Sequence, residues 1–358
     1  MKVLHSELEC RFGGIESFLL NLMQARAMKD IQFYFLMKGT NSEIQRLFEE
    51  QGGTVLHVPN SSQEYIRFVR QLLRREQFDV VHIHKNSAAN PLLPILVKQY
   101  GDSKIILHSH NTQPSTRTSL KVALHKINRP LLNWTADVRL ACSELAGKWM
   151  FGKRNFEIIR NGIYPERFAC QEAIRREKRA ELRITDNEYV IGHVGTMREQ
   201  KNHRFMVKLM EEVGREDVKM VFVGDGPVRP EIEEMISERG LQEKILLLGA
   251  RQDVAELMMA FDLFILPSFH EGLPVSAIEA QASGLPVLLS DRVSKMTKIT
   301  TDVHFLNIDD TQSWVNAIER AKQHKIRYDN AAAVSENGYD MNRSADIIKK
   351  LYIKICEN

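Results

Sequence analysis

The sequence contains little cysteine and no long apolar run. Its 358 residues include four cysteines, and none forms a Cys-x-x-Cys pair or a cysteine–histidine ligand cluster. Scattered thiols in a chain of this length argue against a disulfide framework and indicate a reducing cytoplasm. No stretch approaches the roughly 18 apolar residues of a membrane-spanning helix. Because the opening residues MKVLHSELEC also lack the apolar core of a signal peptide, we expect a cytoplasmic protein.

Other absences narrow the functional classes. Neither half carries Gly-x-Gly-x-x-Gly after its first strand with an acidic residue about 20 positions later, which argues against a nicotinamide-dependent dehydrogenase. Aromatic and basic residues are not interleaved, and no nucleic-acid motif is present, so no nucleic-acid partner is expected. The sequence also lacks an Asp-x-Asp motif, which is consistent with catalysis that does not hold a diphosphate through a metal.

Charge is distributed unevenly, although the whole chain carries a net charge of only +3. Residues 1–165 contain 22 lysines and arginines against 14 aspartates and glutamates, a net of +8, and residues 166–358 carry a net of −5. A basic first half favours an anionic partner such as a nucleotide or a lipid surface. A bias of this size is equally compatible with no such partner.

Short apolar segments alternate with amphipathic helical segments along the whole chain. The first half has six predicted strands, at residues 2–5, 31–37, 54–58, 79–84, 104–110 and 137–142. The second half has five, at residues 189–195, 218–224, 244–249, 262–267 and 286–290. Strands that are apolar on both faces are typical of parallel sheets covered by helices on both sides. The pattern predicts two tandem, doubly wound α/β domains.

The domain boundary is predicted where Asn161, Gly162 and Pro165 end the first pattern. We predict an N-terminal domain of residues 1–165 and a C-terminal domain of residues 166–340. A final helix at about 341–358 is expected to pack back on the first domain. In such a protein the ligand is expected between the domains, at the carboxyl ends of the strands.

The segment FHEGLPVSAIEAQASGLPVLLSD, residues 269–291, carries the strongest ligand signal. The amides of Gly272, Leu273 and the first turn of the following helix form an anion site. Because a phosphate would repel a carboxylate, Glu271 suits neutral hydroxyls, and Glu279 can reach a second set of hydroxyls from within the helix. A sugar, a diphosphate and a ribose in sequence satisfy all three features. The alternative for Glu279 is an ordinary solvated helix position.

Seven motifs occur in order along the chain. They are FGGIESFLLNL, HSHNT, ACSELAGKWMFG, IIRNGIYPERF, HVGTMREQKNH, VFVGDGP, and HEGLPVSAIEA followed by GLPVLLSD. Together they resemble the retaining glycosyltransferases of family four, and the QKNH and HSHNT forms are most similar to bacterial exopolysaccharide and capsule glycosyltransferases. The resemblance covers nearly the whole chain. It implies a GT-B fold, two Rossmann-like domains facing across a cleft, with the donor on the C-terminal domain and the acceptor on the N-terminal domain.

Within the donor motif, the resemblance assigns Glu279 to the ribose, Glu271 to the sugar hydroxyls, and the amides of Gly272 and Leu273 to the diphosphate. It also includes His270 among the donor-binding residues.

A second donor loop is GTMREQKNH, in which Lys201 matches the diphosphate-binding lysine of the family. A cation at this place would stabilise the negative charge that develops on the leaving nucleotide. The family has arginine directly after Gly195, whereas this chain has Thr196, and Arg198 is the candidate replacement. The alternative is a pair of solvated surface cations.

The N-terminal domain contributes glycines and histidines. Gly13 and Gly14 begin a helix, where backbone amides can approach a ligand closely, although a plain tight turn has the same sequence. The resemblance assigns His110 to contact with the transferred sugar. Histidines at 82, 84 and 108 are interpreted as strand or cleft-edge residues. No Cys, Asp or Glu completes a ligand set with them, so no metal is expected.

Residues 103–136 contain five lysines and arginines and no acidic residue. With Arg117, Lys121, Lys126 and Arg129, this segment predicts a basic amphipathic surface for an anionic membrane. A solvated helix face is the equally supported alternative.

These features predict a retaining glycosyltransferase that moves a sugar from a nucleotide sugar, expected to be a UDP-sugar, to a hydroxyl of a lipid-linked saccharide at the inner membrane face. The expected reaction uses no metal and no carboxylate nucleophile. The resemblance implies a front-face route in which the leaving phosphate helps to take the acceptor proton. A nucleotide-sugar epimerase and a non-catalytic partner subunit of another glycosyltransferase are the alternatives, and Thr196 is the feature that favours the subunit.

Overall fold

The computed structural model describes residues 1–9, 13–40, 42–111, 119–323 and 327–357. Arg117, one of the predicted basic residues, lies outside them, as do the first residue of FGGIESFLLNL and the last residue of HSHNT. The chain divides into unit 1, formed by Met1–Gly162 with Met341–Asn358, and unit 2, formed by Ile163–Asp340. The first division lies three residues before the predicted boundary at 165/166. The acceptor and donor roles of the units stay predictions.

Unit 1 contains a seven-stranded parallel sheet in the order β3-β2-β1-β4-β5-β6-β7. Its strands are β1 (Lys2–Glu9), β2 (Gln32–Lys38), β3 (Thr54–Val58), β4 (Val80–Lys85), β5 (Lys104–Ser109), β6 (Val138–Ala141) and β7 (Glu157–Ile158). Its helices are α1 (Gly14–Gln24), α2 (Ser42–Glu50), α3 (Ser62–Arg75), α4 (Leu92–Tyr100), α5 (Ser119–Thr135), α6 (Glu144–Phe151) and α15 (Met341–Glu357).

Unit 2 contains a six-stranded parallel sheet in the order β10-β9-β8-β11-β12-β13. Its strands are β8 (Tyr189–Val194), β9 (Val218–Val223), β10 (Ile245–Leu247), β11 (Leu263–Leu266), β12 (Val287–Ser290) and β13 (Val303–Leu306). Its helices are α7 (Pro165–Phe168), α8 (Glu172–Glu181), α9 (His203–Val213), α10 (Arg229–Glu238), α11 (Val254–Ala260), α12 (Val275–Ala282), α13 (Thr311–Gln323) and α14 (Ala331–Val334).

Both sheets have the strand order of doubly wound α/β domains, in which the chain reverses direction beside the first strand. Each strand of unit 2 supplies core side chains to both faces of the sheet. In β11, Phe264 packs in one apolar cluster and Ile265 in the opposite one. Because both faces are buried, the strands read as continuous apolar runs. The predicted pair of doubly wound parallel sheets is confirmed.

Two short strands were not predicted. β7 is two exposed residues at the edge of its sheet, and β13 contains His304 and is only partly buried. Neither has the apolar run that identifies an interior strand, because an edge strand is covered less completely than an interior one.

The charged helix α8 fixes the entry to β11, the strand that leads into the donor motif. Arg175 donates to the carbonyl oxygens of Met259 and Phe261, 2.9 and 2.8 Å away, at the end of α11. Arg179 is buried and donates to the carbonyl oxygen of Ala260 and to Asp262. These guanidinium groups satisfy carbonyl groups that a helix end leaves without partners. Arg175 and Arg179 are therefore structural.

Helix α15 packs on unit 1. The Tyr352 hydroxyl lies 2.6 Å from Nδ1 of His82, and Lys349 forms an ion pair with Asp30. No helix within the described ranges combines the length and the apolar composition that crossing a bilayer requires.

Candidate functional site

The first predicted donor loop follows β8 and is held against the loop after β9. The amide of Gly195 donates to the carbonyl oxygen of Val223, and the amide of Met197 donates to that of Asp225. A Cβ on Gly224, which has a φ of +134°, would collide with the Gly195 carbonyl oxygen. The glycine of the GDGP motif therefore allows two loops to pack together, which is one of the reasons a glycine is required in a tight turn.

Among the described residues, three hydrogen bonds join the same loop to residues 267–270, at the end of β11 and the start of the donor motif. The Phe269 amide donates to the Gln200 carbonyl oxygen at 2.9 Å, and the Gln200 side chain donates to the His270 carbonyl oxygen at 2.9 Å. Asn202 has a φ of 59° and donates through its side chain to the carbonyl oxygen of Pro267. Asparagine tolerates this left-handed conformation better than most residues. Sequence reasoning missed Gln200 and Asn202, because their partners are distant in sequence.

Lys201 and Glu271 form an ion pair. They lie on two different loops, and both are predicted to contact the donor. The Lys201 Nζ lies 2.8 Å from Oε1 of Glu271, and the two side chains are only 16% and 13% exposed. Lys201 also lies over Gly195, where a Cβ would come within 3.2 Å of the lysine Cε.

This ion pair has a chemical consequence. A buried pair keeps each charge compensated, and removing one partner leaves the other without compensation. A diphosphate that binds Lys201 would compete with Glu271 for the ammonium group. The freed carboxylate could then accept hydrogen bonds from sugar hydroxyls. The geometry brings both predicted residues to one place and leaves their ligand roles as predictions.

Helix α12 begins at Val275, so Pro274 precedes the first turn as the N-cap residue instead of lying within it. Among the described residues, the amides of Gly272, Leu273, Val275 and Ser276 have no acceptor. Four free amides at the positive end of a helix dipole are a suitable place for an anion. Gly272 is exposed, and Leu273 is anchored against the apolar core of unit 2.

Glu279 lies in the second turn of α12, between the buried Ile278 and Ala280. Burial raises the pKa of its carboxyl to about 7, although part of the side chain still meets solvent. In the described part of the chain no group donates to this carboxylate. Such an uncompensated acid inside an apolar helix is typical of a functional position and differs from the solvated alternative.

Arg198 and His270 are exposed at the surface of these loops. Arg198 has extended backbone, and no described acidic group pairs with it. Its neighbour Arg204 is instead held by Glu199 and Glu231. Of these two guanidinium groups, Arg198 is the one that can reach a ligand without breaking an ion pair. Its role as a replacement at the position of Thr196 stays a prediction.

The predicted glycines of unit 1 open α1. Gly13 is the N-cap and accepts a hydrogen bond from the Ser17 amide, and both Gly13 and Gly14 are exposed. A Cβ on Gly14 would meet no atom within 4 Å, so packing does not require a glycine there. Close approach of a ligand remains the stronger explanation for Gly14.

His110 is one end of a buried array of histidines. Its Nε2 lies 2.9 Å from Nδ1 of His84, and its Nδ1 lies 3.2 Å from Oδ1 of Asn161. His84 in turn contacts His5, with 3.0 Å between Nε2 and Nδ1. Both ring nitrogens of His110 therefore have protein partners. A hydrogen bond from its ring to a sugar would require one of them to be exchanged.

The hydrogen bonds fix the proton positions along this array. An amide oxygen only accepts, so His110 carries its proton on Nδ1 and accepts on Nε2. His84 must then donate from Nδ1 and accept on Nε2, and His5 must donate from Nδ1. Burial lowers the pKa of His110 to about 4 and that of His5 to about 3, which keeps both rings neutral.

Strand register explains why the sequence did not reveal this array. His5 faces His82 across β1 and β4, and His84 faces His108 across β4 and β5. Two sets of three histidines thus have ring nitrogens within 4.8 Å of one another. They could offer metal ligands, but a metal at either set would replace existing ring-to-ring contacts. The expectation of a metal-free protein stays a prediction.

Acidification from pH 7 to pH 4 is expected to destabilise unit 1. The pKa values of the buried rings are lowered by burial, so below about 6.5 the unfolded chain binds more protons than the folded chain. The stability that the neutral, buried rings contribute is fully present above pH 6.5 and is lost as the pH falls toward 4. Urea unfolding at several pH values measures this slope. His5→Leu should make it shallower by up to about 1.4 kcal/mol per pH unit. A flat profile would contradict the neutral array.

The architecture and the paired loops define a protein of the GT-B class, with two doubly wound parallel sheets and a cation–carboxylate pair beside a helix N-terminus in unit 2. Residues 12–167 match the model of Glycosyltransferase Family 4, and residues 174–341 match that of Glycosyl transferases group 1. The chain is 31% identical to EpsF of Bacillus subtilis (strain 168), a protein named as a glycosyltransferase, over 98% of this chain and 96% of the relative. The chain therefore belongs to the family 4 glycosyltransferases, as the motifs indicated.

Two further similarities agree with this family. The chain is 28% identical to the UDP-Gal:alpha-D-GlcNAc-diphosphoundecaprenol alpha-1,3-galactosyltransferase of Escherichia coli, over 80% of this chain and 78% of the relative. The crystal structure of Anabaena HepE in complex with UDP-glucose superposes with a TM-score of 0.81 at 18% identity, covering 99% of this chain and all of that chain. The structural similarity supports the GT-B fold.

Proposed function

We propose that this glycosyltransferase transfers a hexosyl or N-acetylhexosaminyl group from a UDP-sugar to a hydroxyl of a lipid-linked saccharide, with retention of anomeric configuration. The observation that carries the proposal is the meeting of Lys201, Glu271 and the free amides before α12 in one pair of loops. The names of two relatives support the donor and the acceptor: the Escherichia coli enzyme is named for UDP-Gal and a diphosphoundecaprenol acceptor, and HepE was crystallised with UDP-glucose.

The donor is assigned to unit 2. Lys201, Arg198 and the amides of Gly272 and Leu273 bind the diphosphate, because these groups offer positive charge and free N–H donors at the loop pair. Glu279 accepts hydrogen bonds from the ribose diol, since its carboxylate has no described donor of its own. Glu271 turns from Lys201 to the sugar hydroxyls when the diphosphate binds. His270 borders the sugar.

The proposed reaction depends on stabilising the charge of the leaving group more than on a covalent intermediate with the protein. The acceptor oxygen bonds to the sugar C1 as the bond from C1 to the β-phosphate oxygen breaks, and the acceptor proton passes to that phosphate on the same face. Lys201 and Arg198 stabilise the charge that develops on the diphosphate, which is the largest contribution that preorganised groups usually make. The nucleotide leaves as its diphosphate. Because these cations and amides neutralise the leaving group, no metal is assigned a step.

Unit 1 is assigned to the acceptor. In this proposal Gly13 and Gly14 present the amides of α1 to the donor, and His110 contacts the transferred sugar through a nitrogen released from His84 or Asn161. The assignment of His110 comes from the family resemblance, and that of the two glycines comes from their place at the start of α1. Exclusion of water is required in any such reaction, because hydrolysis of the donor competes with transfer.

A thermal-shift screen of nucleotide sugars in the presence of EDTA tests the donor assignment. A ligand that binds the folded state raises the unfolding free energy by RT ln(1 + [L]/Kd), which is about 2.7 kcal/mol at 100 times Kd. At least one UDP-sugar is expected to raise Tm, and GDP-mannose is the matched control. Stabilisation only after addition of Mn²⁺ would contradict the metal-free assignment. Binding of a UDP-sugar without transfer or hydrolysis would favour a partner subunit of another glycosyltransferase.

A further inference from the structure

Helix α5 exposes a continuous stripe of large apolar side chains. Leu120, Ile127 and Trp134 are 68%, 71% and 72% exposed, and Leu124 and Leu131 fill the positions between them. Spacings of four, three, four and three residues place all five on one side of the helix. Within the described chain, thirteen large apolar side chains are exposed, and five of them belong to this one helix. Scattered exposure is ordinary, whereas an apolar stripe on a surface helix indicates an interaction site.

The opposite side of α5 explains why the stripe points outward. His125, Leu132 and Asn133 are buried, and Asn133 donates to the carbonyl oxygen of Met150 in α6. The ring of His125 stacks on Trp149, with 3.7 Å between centroids. These contacts hold the helix by its other side. The stripe is therefore fixed at the surface of unit 1 and is not used in its core.

Basic residues flank the stripe. Lys121 and Lys126 are exposed and lie on its two sides, about 100° and 120° around the helix from Leu120 at 100° per residue. Arg129 lies nine residues after Leu120 and so on the opposite side of the helix, against Gly152, where a Cβ would come within 3.5 Å of its guanidinium group. An apolar stripe between lysines is the pattern of a helix that lies in a lipid interface.

We propose that α5 docks unit 1 on an anionic lipid bilayer, with the five apolar side chains inserted among the acyl chains and the basic residues on the headgroups. Trp134 suits the interface, since its ring is apolar and its N–H polar. A second copy of the chain fits this face poorly. A symmetric contact would place positive charge from both copies together, because residues 103–136 contain five lysines and arginines and no acidic residue. Such docking would bring unit 1 to the membrane that holds the proposed lipid-linked acceptor. The test of the docking requires neither donor nor acceptor.

Vesicle sedimentation with the full chain tests the proposal. We expect binding to phosphatidylcholine vesicles containing one third phosphatidylglycerol, and much weaker binding to pure phosphatidylcholine. The triple variant Leu120→Ser, Ile127→Ser and Trp134→Ser should bind the anionic vesicles at least about ten-fold more weakly. Lys121→Gln with Lys126→Gln should remove most of the dependence on phosphatidylglycerol and on salt. Ile66→Ser with Ile353→Ser, on other helices of unit 1, is the matched control and should bind as the wild type does.

The outcomes separate this proposal from its rivals. The triple variant must keep the wild-type Tm and UDP-sugar binding, since its positions are exposed. Equal vesicle binding by the triple variant and the wild type would overturn the insertion of α5. A wild-type dimer that the triple variant converts to a monomer, without vesicle binding by either, would assign the stripe to a second copy and would also overturn the proposal. Failure of UDP-sugar binding with intact vesicle binding would reject the proposed function and leave the docking surface.

Discussion

Lys201→Ala is expected to lower the rate of sugar transfer by about 100- to 1,000-fold, the usual cost of removing one preorganised group that stabilises transition-state charge. The lysine is held in place by Gly195 beneath it and by Glu271 beside it. The side-chain conformation of this lysine is therefore already fixed before the leaving diphosphate develops its charge. Most of the loss should fall on kcat, because negative charge on the diphosphate grows as the bond to the sugar breaks.

Three comparisons make this result specific. Lys201→Arg keeps the charge but changes its shape, and it should retain more activity than the alanine variant. Lys208→Ala removes an exposed lysine from α9 and should leave transfer unchanged. Removing Lys201 also leaves Glu271 partly buried without its partner, so some loss of Tm is expected. A large drop in Tm with near wild-type turnover would mean that the ion pair is structural and that the diphosphate is bound elsewhere.

Glu279→Ala is expected to weaken UDP-sugar binding by about 10- to 100-fold, because hydrogen bonds from neutral hydroxyls to a charged acceptor contribute about 1.5–3 kcal/mol. The carboxylate has no described donor of its own, so a ribose diol would supply its first hydrogen bonds. Glu238→Ala, at an exposed position in α10, is the matched control. Calorimetric titration of the donor measures the change. Equal affinity of the Glu279→Ala variant and the wild type would place Glu279 outside the donor site.

The raised pKa of Glu279 adds a pH dependence to the same experiment. Since burial raises this pKa to about 7 in the free protein, the donor must bind to a carboxyl that is partly protonated at neutral pH. Hydroxyl donors favour the ionised form, so donor affinity should rise between pH 6 and pH 8. Glu279→Gln keeps the shape without the titration and should flatten that profile. Stability changes in the opposite sense: because the folded pKa lies above the unfolded value of 4.5, this group contributes stability at low pH that is lost as pH rises from 4.5 to 7.

The positions of the two loops assigned to the donor could be predicted from the sequence because their signals are local. Lys201 follows a strand at a short spacing, and Glu271, Gly272 and Glu279 surround one helix start. Such features depend on a few neighbouring residues and on the rule that ligands bind at the carboxyl ends of parallel strands. The ion pair between Lys201 and Glu271 could not be predicted, because it depends on how two loops 70 residues apart are pinned by Gln200 and Asn202.

The histidine array and the stripe on α5 show a different limit. His5 has no histidine near it in sequence, and only the register of β1, β4 and β5 brings it beside His84. The apolar positions from Leu120 to Trp134 have the spacing of an ordinary buried helix face, so their pattern alone does not show that they point outward. Which side of an amphipathic helix is covered is decided by tertiary packing.

The measurement that tests the central claim most directly is transfer by the purified protein from UDP-sugars to a lipid-linked saccharide, with the anomeric configuration of the product read by NMR. We predict a new glycosidic bond of the same α configuration as the donor, formed in the presence of EDTA and lost with Lys201→Ala. A β-linked product would contradict the retaining mechanism. A protein that binds a UDP-sugar but neither transfers nor hydrolyses it would contradict the assignment of Lys201, Arg198 and Glu271 to catalysis.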